Sequence, residues 1–182
     1  MLEGINVILR DLTFEDASQI EAFASDIEVA QNTLTIPHPL PNDSGKEFIH
    51  FALDAQKNGN LVIYAIIEIE TNQLIGIINL MIQPIYKRGE LGYWIAKEYW
   101  GKGYGTEAAK CLIQYGFEEM KLHKIFARAF SSNVGSYKIM QKIGLQYEGT
   151  LKEHVCRDGK YHDLVVYGLL QKDFQNSCKQ QS

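Results

Sequence analysis

The stretch Tyr99-Trp100-Gly101-Lys102-Gly103-Tyr104-Gly105-Thr106 decides the fold, because it places three glycines where a predicted strand passes into a predicted helix. Glycine lacks a Cβ atom, so this backbone can adopt left-handed dihedral angles and approach a ligand closely. Free N–H groups at a helix N-terminus, with roughly half a unit of positive charge from the helix dipole, suit a diphosphate. The stretch therefore predicts a phosphate-binding turn, to which Lys102 and Lys110 could add charge; a tight connection without a ligand is the alternative.

Two common nucleotide-binding motifs do not match this turn. A P-loop requires a lysine followed by Ser or Thr after its last glycine, whereas Lys102 precedes Gly103 and no hydroxyl residue follows it. A dinucleotide fingerprint requires GxGxxG after the first strand, whereas the third glycine here comes one residue early and past the middle of the chain. The turn therefore belongs to another class of phosphate site.

Periodic apolar residues on both sides of the turn predict the order β-α-α-β-β-β-α-β-α-β-β. In the first half, the predicted strands cover residues 5–10, 61–69, 74–82 and 90–96, and the predicted helices follow the caps Thr13 and Ser44. In the second half we expect helices over 106–120 and 134–142, strands over 124–131 and 161–170, and a hairpin turning at 157–160. A right-handed crossover would make the strands before and after the glycine turn parallel neighbours.

Length and composition exclude several classes of protein. The 182 residues, 46% of them hydrophobic, fit one domain over 1–174 with a polar tail over 175–182, which we expect to be frayed. The net charge of -4 disfavours a nucleic-acid-binding face. Three widely spaced cysteines and five histidines form no metal-binding or redox motif, so we expect no metal. Without a leader or an 18-residue apolar run, the sequence predicts a cytoplasmic protein that does not enter a membrane.

Several motifs, in this order and spacing, resemble those of the GNAT acetyltransferases, and among them the RimJ/RimL-type ribosomal-protein N-terminal acetyltransferases. The resemblance covers residues 5–170. Its strongest pieces are Glu90-Leu91-Gly92-Tyr93-Trp94-Ile95, residues 99–108, Asn133-Val134-Gly135-Ser136, Lys142-Ile143-Gly144-Leu145 and Glu148-Gly149-Thr150-Leu151. It implies an α/β (α+β) GNAT fold: a mixed, mostly antiparallel sheet of six to seven strands, a central parallel pair that splays apart, and about four helices on its faces.

The resemblance also implies that acetyl-CoA is the cosubstrate and indicates which residues hold it. The pyrophosphate would be bound by backbone amides, and the pantetheine arm would pair with the open strand edge around Trp94 and Ile95. One departure is Trp100, which stands where the superfamily places Gln or Arg. The implied pyrophosphate and helix-start contacts are Lys102, Gly103, Tyr104, Gly105 and Thr106, then Asn133 and Ser136.

Acetyl transfer from a thioester to an amine needs a neutral amine, donors for the developing oxyanion, and a way to stabilise or protonate the leaving thiolate. The resemblance suggests Glu90 as general base and Ser136 as donor to the thiolate. Tyr137 is the substitute donor, although a shift of one residue turns its side chain by about 100° around the helix. A base on the penultimate strand is a further possibility; there the alignment reaches Val155, with Glu153 and His154 nearby.

The acceptor is open between several amines. A protein α-amine, with a pKa of about 7.7 to 8.0, is far more often neutral at pH 7 than a lysine near 10.4, which favours a protein N-terminus such as that of a ribosomal protein. A small amine (polyamine, aminoglycoside or amino acid) and a non-catalytic acyl-CoA-binding module are the alternatives. The acceptor cleft is expected near the turn at 157–163, with Tyr161, Tyr167, Tyr86 and His38, while the terminal hairpin could instead form a homo-oligomer contact. Four aromatic residues are expected in the core: Phe48, Phe51, Tyr93 and Trp94.

Overall fold

A computed structural model describes residues 1–179 of the chain, and these form one mixed sheet of eight strands with helices on both faces. The strands are β1 (Leu2–Glu3), β2 (Val7–Arg10), β3 (Leu61–Glu68), β4 (Gln73–Gln83), β5 (Arg88–Ile95), β6 (Lys124–Phe130), β7 (Gln146–Arg157) and β8 (Lys160–Leu170). The helices are α1 (Ala17–Ala24), α2 (Ile27–Gln31), α3 (Ser44–Lys57), α4 (Tyr104–Glu118), α5 (Val134–Lys142) and α6 (Gln171–Lys179). Along the sheet the order is β1-β2-β3-β4-β5-β6-β8-β7.

The face of the sheet that carries α1 and α3 encloses one of two hydrophobic clusters, with Ile20 and Ile49 packed on Ile63 and Ile77. The predicted cap before α1 is present, but it opens a short 3-10 turn (Phe14–Asp16) ahead of the α-helix. The Asp16 carboxylate accepts hydrogen bonds from the Thr13 N–H at 2.8 Å and from two guanidinium nitrogens of Arg10 at 2.7 and 2.8 Å. This pair joins β2 to the start of α1.

The opposite face carries α4, whose apolar stripe lies on the middle strands as its periodicity predicts. Leu112, Ile113 and Phe117 are 0–2% exposed, and burial of each such side chain is worth about 1.5–3 kcal/mol. Gly116 allows the helix to approach the sheet closely, because a Cβ there would lie 2.8 Å from Ile125 Cδ1. The packing fixes the N-terminus of α4 beside the C-terminal end of β5.

The central strands β5 and β6 are parallel and separate after a short paired region. Their register runs only from Arg88↔Lys124 to Glu90↔Phe126. Beyond it, β5 continues along β4 as far as Ile95, and β6 continues along β8 as far as Phe130. The predicted parallel, splayed pair is therefore confirmed, and the second half of β5 has an open edge that faces β6 across a gap.

The structure differs from the sequence prediction at the ends of the chain and in the number of elements. The sheet has eight strands rather than six to seven, because the two-residue β1 is too short to show alternation. Residues 1–179 contain six α-helices instead of about four; α2 has only five residues. The tail predicted over 175–182 is helical in α6 as far as Lys179, and its remaining part lies outside the described residues. Among residues 1–179, no helix is long and apolar enough to cross a membrane.

Candidate active site

The glycine turn lies at the mouth of a groove of about 550 Å³ between the end of β5, the start of α4 and the start of α5. Gly101 and Gly103 have φ angles of 78° and 90°, which only glycine adopts without strain. Within residues 1–179, no N–H group of residues 101–106 donates to a main-chain acceptor. These amides are therefore free to bind an anion at the helix N-terminus, as the sequence predicts.

The charges around this groove suit a phosphate-bearing ligand. Lys138 and Lys142 line it, one helical turn apart on α5. Sequence reasoning missed both, although their spacing of four residues after a cofactor-contact motif was a usable signal. Lys102 is not among the residues that line the groove, and its ammonium lies 4.9 Å from the centre of the Tyr99 ring. Lys110, further along α4, also lies outside the groove, so the added charge comes from α5.

A buried carboxylate, that of Glu68, is hydrogen-bonded to Tyr104 of the glycine turn. Glu68, at the end of β3, accepts hydrogen bonds from the Tyr104 hydroxyl and from Thr71 Oγ1. The bond to Glu68 is the main cause that raises the pKa of Tyr104 to about 12, so this hydroxyl remains a donor at any physiological pH. The first residue of α4 is thereby tied to the β3–β4 hairpin, a contact across 36 residues that the sequence does not reveal.

The open edge of β5 presents main-chain groups to the groove. The Ala96 N–H donates to Ile75 O of β4 at 2.8 Å, so by strand alternation the main-chain groups of Ile95 point to the opposite, open edge. The Ile95 carbonyl accepts a hydrogen bond from Trp100 Nε1 at 2.7 Å. Trp100, the departure from the superfamily pattern, thus has a role of its own: it ties the glycine turn to the strand.

A second cavity, of about 570 Å³, adjoins the groove on the other side of β5. Its floor is formed by β4 and β5, and its walls by α1, α3 and the irregular segment that joins α2 to α3. Most of its surface is apolar, and it includes Phe48 and Phe51. Phe51 is 67% exposed, so its predicted core position was wrong. Its charged lining consists of Glu21, Glu47, Glu90 and Arg128, an excess of acid that attracts a cation.

Tyr93, Trp94 and Ser136 line both cavities and mark the point where they meet. Asn133 caps α5, as predicted, by accepting the Ser136 N–H at 3.0 Å. The Tyr93 hydroxyl lies 3.0 Å from Ser136 O and 3.1 Å from Ser136 Oγ. Burial raises the pKa of Tyr93 to about 12, against the effect of the hydrogen bond with Ser136, so Tyr93 stays protonated and can orient the serine hydroxyl.

Glu90 lies on the floor of the second cavity, and both of its carboxylate oxygens are engaged. Arg128, on β6, donates from Nε to Oε1 at 2.8 Å and from Nη2 to Oε2 at 3.0 Å. This bidentate pair is partly buried, with the Glu90 side chain 16% exposed. Sequence reasoning proposed Glu90 but missed Arg128, whose partner becomes apparent only from the parallel register of β5 and β6.

The alternative catalytic residues lie elsewhere. Tyr137 turns away from both cavities and stacks on Tyr167, with ring centroids 6.3 Å apart. Glu153 and His154 are exposed on β7, where the register with β8 is irregular. Neither residue lines the groove or the second cavity. The structure therefore brings Ser136 and Glu90 to one cavity and leaves the other candidates outside it.

Most of the predicted acceptor contacts were misplaced. Tyr167 is 6% exposed beneath α5, and Tyr161, at 68%, faces solvent outside the cavity. His38 and Tyr86 are exposed and line neither cavity. From the predicted turn at 157–163, Arg157 reaches the cavity wall through hydrogen bonds to main-chain carbonyls. Aromatic identity alone gave no signal for which side of the sheet each ring occupies.

Comparison with known proteins identifies the family. A model of the acetyltransferase (GNAT) domain matches residues 6–146. The uncharacterized N-acetyltransferase p20 of Bacillus licheniformis is 30% identical over 167 residues, which are 91% of this chain and 93% of that protein. A "putative ribosomal N-acetyltransferase YdaF" of Bacillus subtilis is 38% identical over 103 residues, 56% of either chain. Spermidine N(1)-acetyltransferase of Escherichia coli is 30% identical over 100 residues, 54% of either chain.

Solved structures agree. A GNAT-family acetyltransferase from Bacillus anthracis superposes with a TM-score of 0.83 at 28% identity, covering 94% of this chain and 98% of that one. The ribosomal L7/L12 α-N-protein acetyltransferase RimL superposes with a TM-score of 0.84 at 18% identity, covering 91% and 94%, and shares the fold. The chain belongs to the GNAT acetyltransferase family. It is an acetyl-CoA-dependent N-acetyltransferase.

Proposed function

We propose that this enzyme acetylates the N-terminal α-amine of a protein, and that a ribosomal protein is its substrate. The observation that carries the proposal is the state of Glu90, whose two oxygens are already bonded to Arg128. Each oxygen that could accept a proton from the amine therefore already accepts a hydrogen bond from the guanidinium. An α-amine, with a pKa of about 7.7 to 8.0, needs little help to lose its proton, whereas an alkyl amine such as that of a lysine side chain, with a pKa near 10.4, needs much more.

The lining of the second cavity supports a peptide acceptor. The excess of carboxylates attracts the amine, and the apolar walls around Phe48 and Phe51 suit the first side chains of a polypeptide. The similarity to the ribosomal-type relative YdaF points the same way. Similarity to the spermidine enzyme over about half the chain makes a polyamine the second candidate, and the same carboxylates favour it.

The groove suits acetyl-CoA, which supplies an acetyl group activated as a thioester. The free amides of residues 102–106 are assigned to its pyrophosphate, and the open edge of β5 at Ile95 to its pantetheine arm; Trp94 also lines the groove, but its main-chain groups point toward β4. Asn133 fixes the start of α5. Glu90 takes up the proton that the amine loses, directly or through water, and Ser136 Oγ, oriented by Tyr93, donates a hydrogen bond that stabilises the departing thiolate.

The acceptor is tested by incubating the enzyme with acetyl-CoA and a cell extract depleted of its own acetylation, and then locating the new acetyl groups by mass spectrometry. We expect acetylation at an N-terminal Ala or Ser of a ribosomal protein. Label confined to small amines would refute the α-amine assignment.

The chemistry is tested with Glu90→Gln and Ser136→Ala. Each should lower kcat by at least about tenfold, because Glu90→Gln removes the group that accepts the amine proton and Ser136→Ala removes the hydrogen bond to the thiolate, while the Kd for acetyl-CoA measured by calorimetry stays close to that of the parent. Parent-like kcat in both variants would show that these roles are wrong. A parent protein that binds acetyl-CoA and acetylates no peptide or polyamine would favour a non-catalytic binding module.

A further inference from the structure

One guanidinium joins the terminal hairpin, β7 and β8, to the wall of the second cavity, which is termed the acceptor cavity. Arg157, the last residue of β7, donates from Nη1 to Ala30 O at 2.9 Å and to Thr33 O at 2.6 Å, and from Nη2 to Ile36 O at 2.7 Å. The residues that these bonds join are 121 to 127 positions apart in the chain. The Arg157 side chain is only 17% exposed.

The segment that Arg157 holds, residues 30–36, is termed the wall segment. Beyond the end of α2 it has no regular secondary structure, so its carbonyls lack the partners that a helix or a sheet would supply. Residues 32–36 line the acceptor cavity, and Asn32 and Thr33 also line the coenzyme groove. The position of the wall segment therefore sets the width of the acceptor cavity where it meets the groove.

Two further contacts hold the coenzyme side of this region. Asn133 Nδ2 donates to Asn32 O at 3.0 Å, and Lys97 Nζ pairs with Glu28 Oε2 at 2.8 Å. Both anchors belong to elements that border the groove. Arg157 is different, because it reaches the wall from the terminal hairpin, and two of its three acceptors, Thr33 and Ile36, belong to residues that line the acceptor cavity. Loss of Arg157 would loosen the acceptor side and leave the coenzyme side anchored.

We propose that Arg157 is a positioning residue for the acceptor: it holds the wall segment in the conformation that binds the amine substrate. A planar fork with several donors can bond three carbonyls at different points of the chain, which the single ammonium of lysine cannot do equally well. The kinetic part of this inference rests on the proposed function. The effect of Arg157 on the wall itself does not.

The kinetic experiment compares Arg157→Ala and Arg157→Lys with the parent, using acetyl-CoA and two acceptors, a peptide that begins with Ser and spermidine. For the acceptor that the parent acetylates, Arg157→Ala should raise KM at least about tenfold and change kcat less than about threefold, since uniform binding is lost. The acetyl-CoA Kd should change less than about threefold. The acceptor KM of Arg157→Lys should lie between those of the parent and Arg157→Ala. Added guanidinium should restore part of the acceptor affinity that Arg157→Ala loses.

Lys152→Ala is the matched control, because Lys152 lies on the same strand, is 78% exposed and pairs with Asp163 within the hairpin. Hydrogen exchange measured by mass spectrometry gives a readout that needs no acceptor. Residues 30–36 should exchange faster in Arg157→Ala and at the parent rate in Lys152→Ala.

The results separate this inference from the proposed function. Equal exchange and equal KM in Arg157→Ala and Lys152→Ala would overturn it, as would a loss of acetyl-CoA affinity as large as the loss of acceptor affinity. If Arg157→Ala does not fold, the same criteria apply to Arg157→Lys. A parent that acetylates only spermidine would refute the α-amine assignment and leave the positioning role to be decided by the spermidine KM and the exchange data.

Discussion

Replacement of Gly103 by alanine tests whether the glycine turn must be left-handed for acetyl-CoA to bind. Gly103 has a φ angle of 90°, and a Cβ added there would meet nothing within 4 Å. Within the protein, the cost of Gly103→Ala is therefore conformational, roughly 1–2 kcal/mol for a non-glycine residue in the left-handed region. At 1.4 kcal/mol for each factor of ten, this corresponds to about a 5- to 30-fold change in an equilibrium constant.

The cost can appear in either of two measurements. If the free protein relaxes the turn, binding must restore it, and the Kd for acetyl-CoA rises by the full factor. If the turn stays fixed, the free energy of unfolding falls by the same amount and the Kd is unchanged. Calorimetric titration with acetyl-CoA and urea unfolding of the free protein should together account for about 1–2 kcal/mol.

Gly59→Ala is the matched control. Gly59 also has a positive φ angle, 71°, and also has nothing within 4 Å of an added Cβ, but it lies between α3 and β3, away from both cavities. It should lose stability to a similar extent and bind acetyl-CoA like the parent. Our interpretation of the turn fails if Gly103→Ala matches the parent in both stability and affinity, or if Gly59→Ala weakens binding equally.

Two further variants test the supporting electrostatics. Burial raises the pKa of Asp16, but the hydrogen bonds from Arg10 and Thr13 outweigh it and the net pKa is lowered. The stabilisation is therefore present above the unfolded value of about 3.9 and is lost as pH falls through the lower folded value. Asp16→Asn should cost about 1–3 kcal/mol at pH 7, and this difference from the parent should shrink below pH 4 in urea unfolding. Lys142→Ala should raise the Kd for acetyl-CoA about 3- to 10-fold at low salt, and by less at about 1 M salt, where charges are screened over about 3 Å. Lys46→Ala, on α3, should leave this Kd unchanged at both salt concentrations. An effect of Lys142→Ala on the Kd that does not depend on salt would contradict a phosphate contact.

Local patterns predicted the cofactor half of the molecule well. The glycine spacing, the stripe on α4 and the Asn133 cap all depend on residues close together in the chain, so propensity and periodicity suffice to place them. The splayed pair also followed, because a strand, a helix and a second strand in succession favour parallel pairing. These features locate the groove without knowledge of distant contacts.

The acceptor half was predicted poorly, because it depends on contacts between distant residues. Arg128 meets Glu90 only through the strand register, and Arg157 meets the wall segment across more than a hundred residues. Tyr161 and Tyr167 lie six residues apart on the same strand, and so on the same face by alternation, yet Tyr167 is buried and Tyr161 exposed. β6 pairs with β8 only from Leu164 onward, so Tyr161 lies in the part of β8 that pairs with β7 alone, and no periodicity within β8 shows where that part begins.

The shared lining of the two cavities has a practical consequence for inhibition. Tyr93, Trp94 and Ser136 border both spaces, so the proposed thioester side and the proposed amine side meet at these three residues. A single compound that joins coenzyme A to a short peptide through a linker at the sulfur would occupy both spaces at once. Its two halves would bind as one molecule, and the second half would gain the high effective concentration of a tethered ligand.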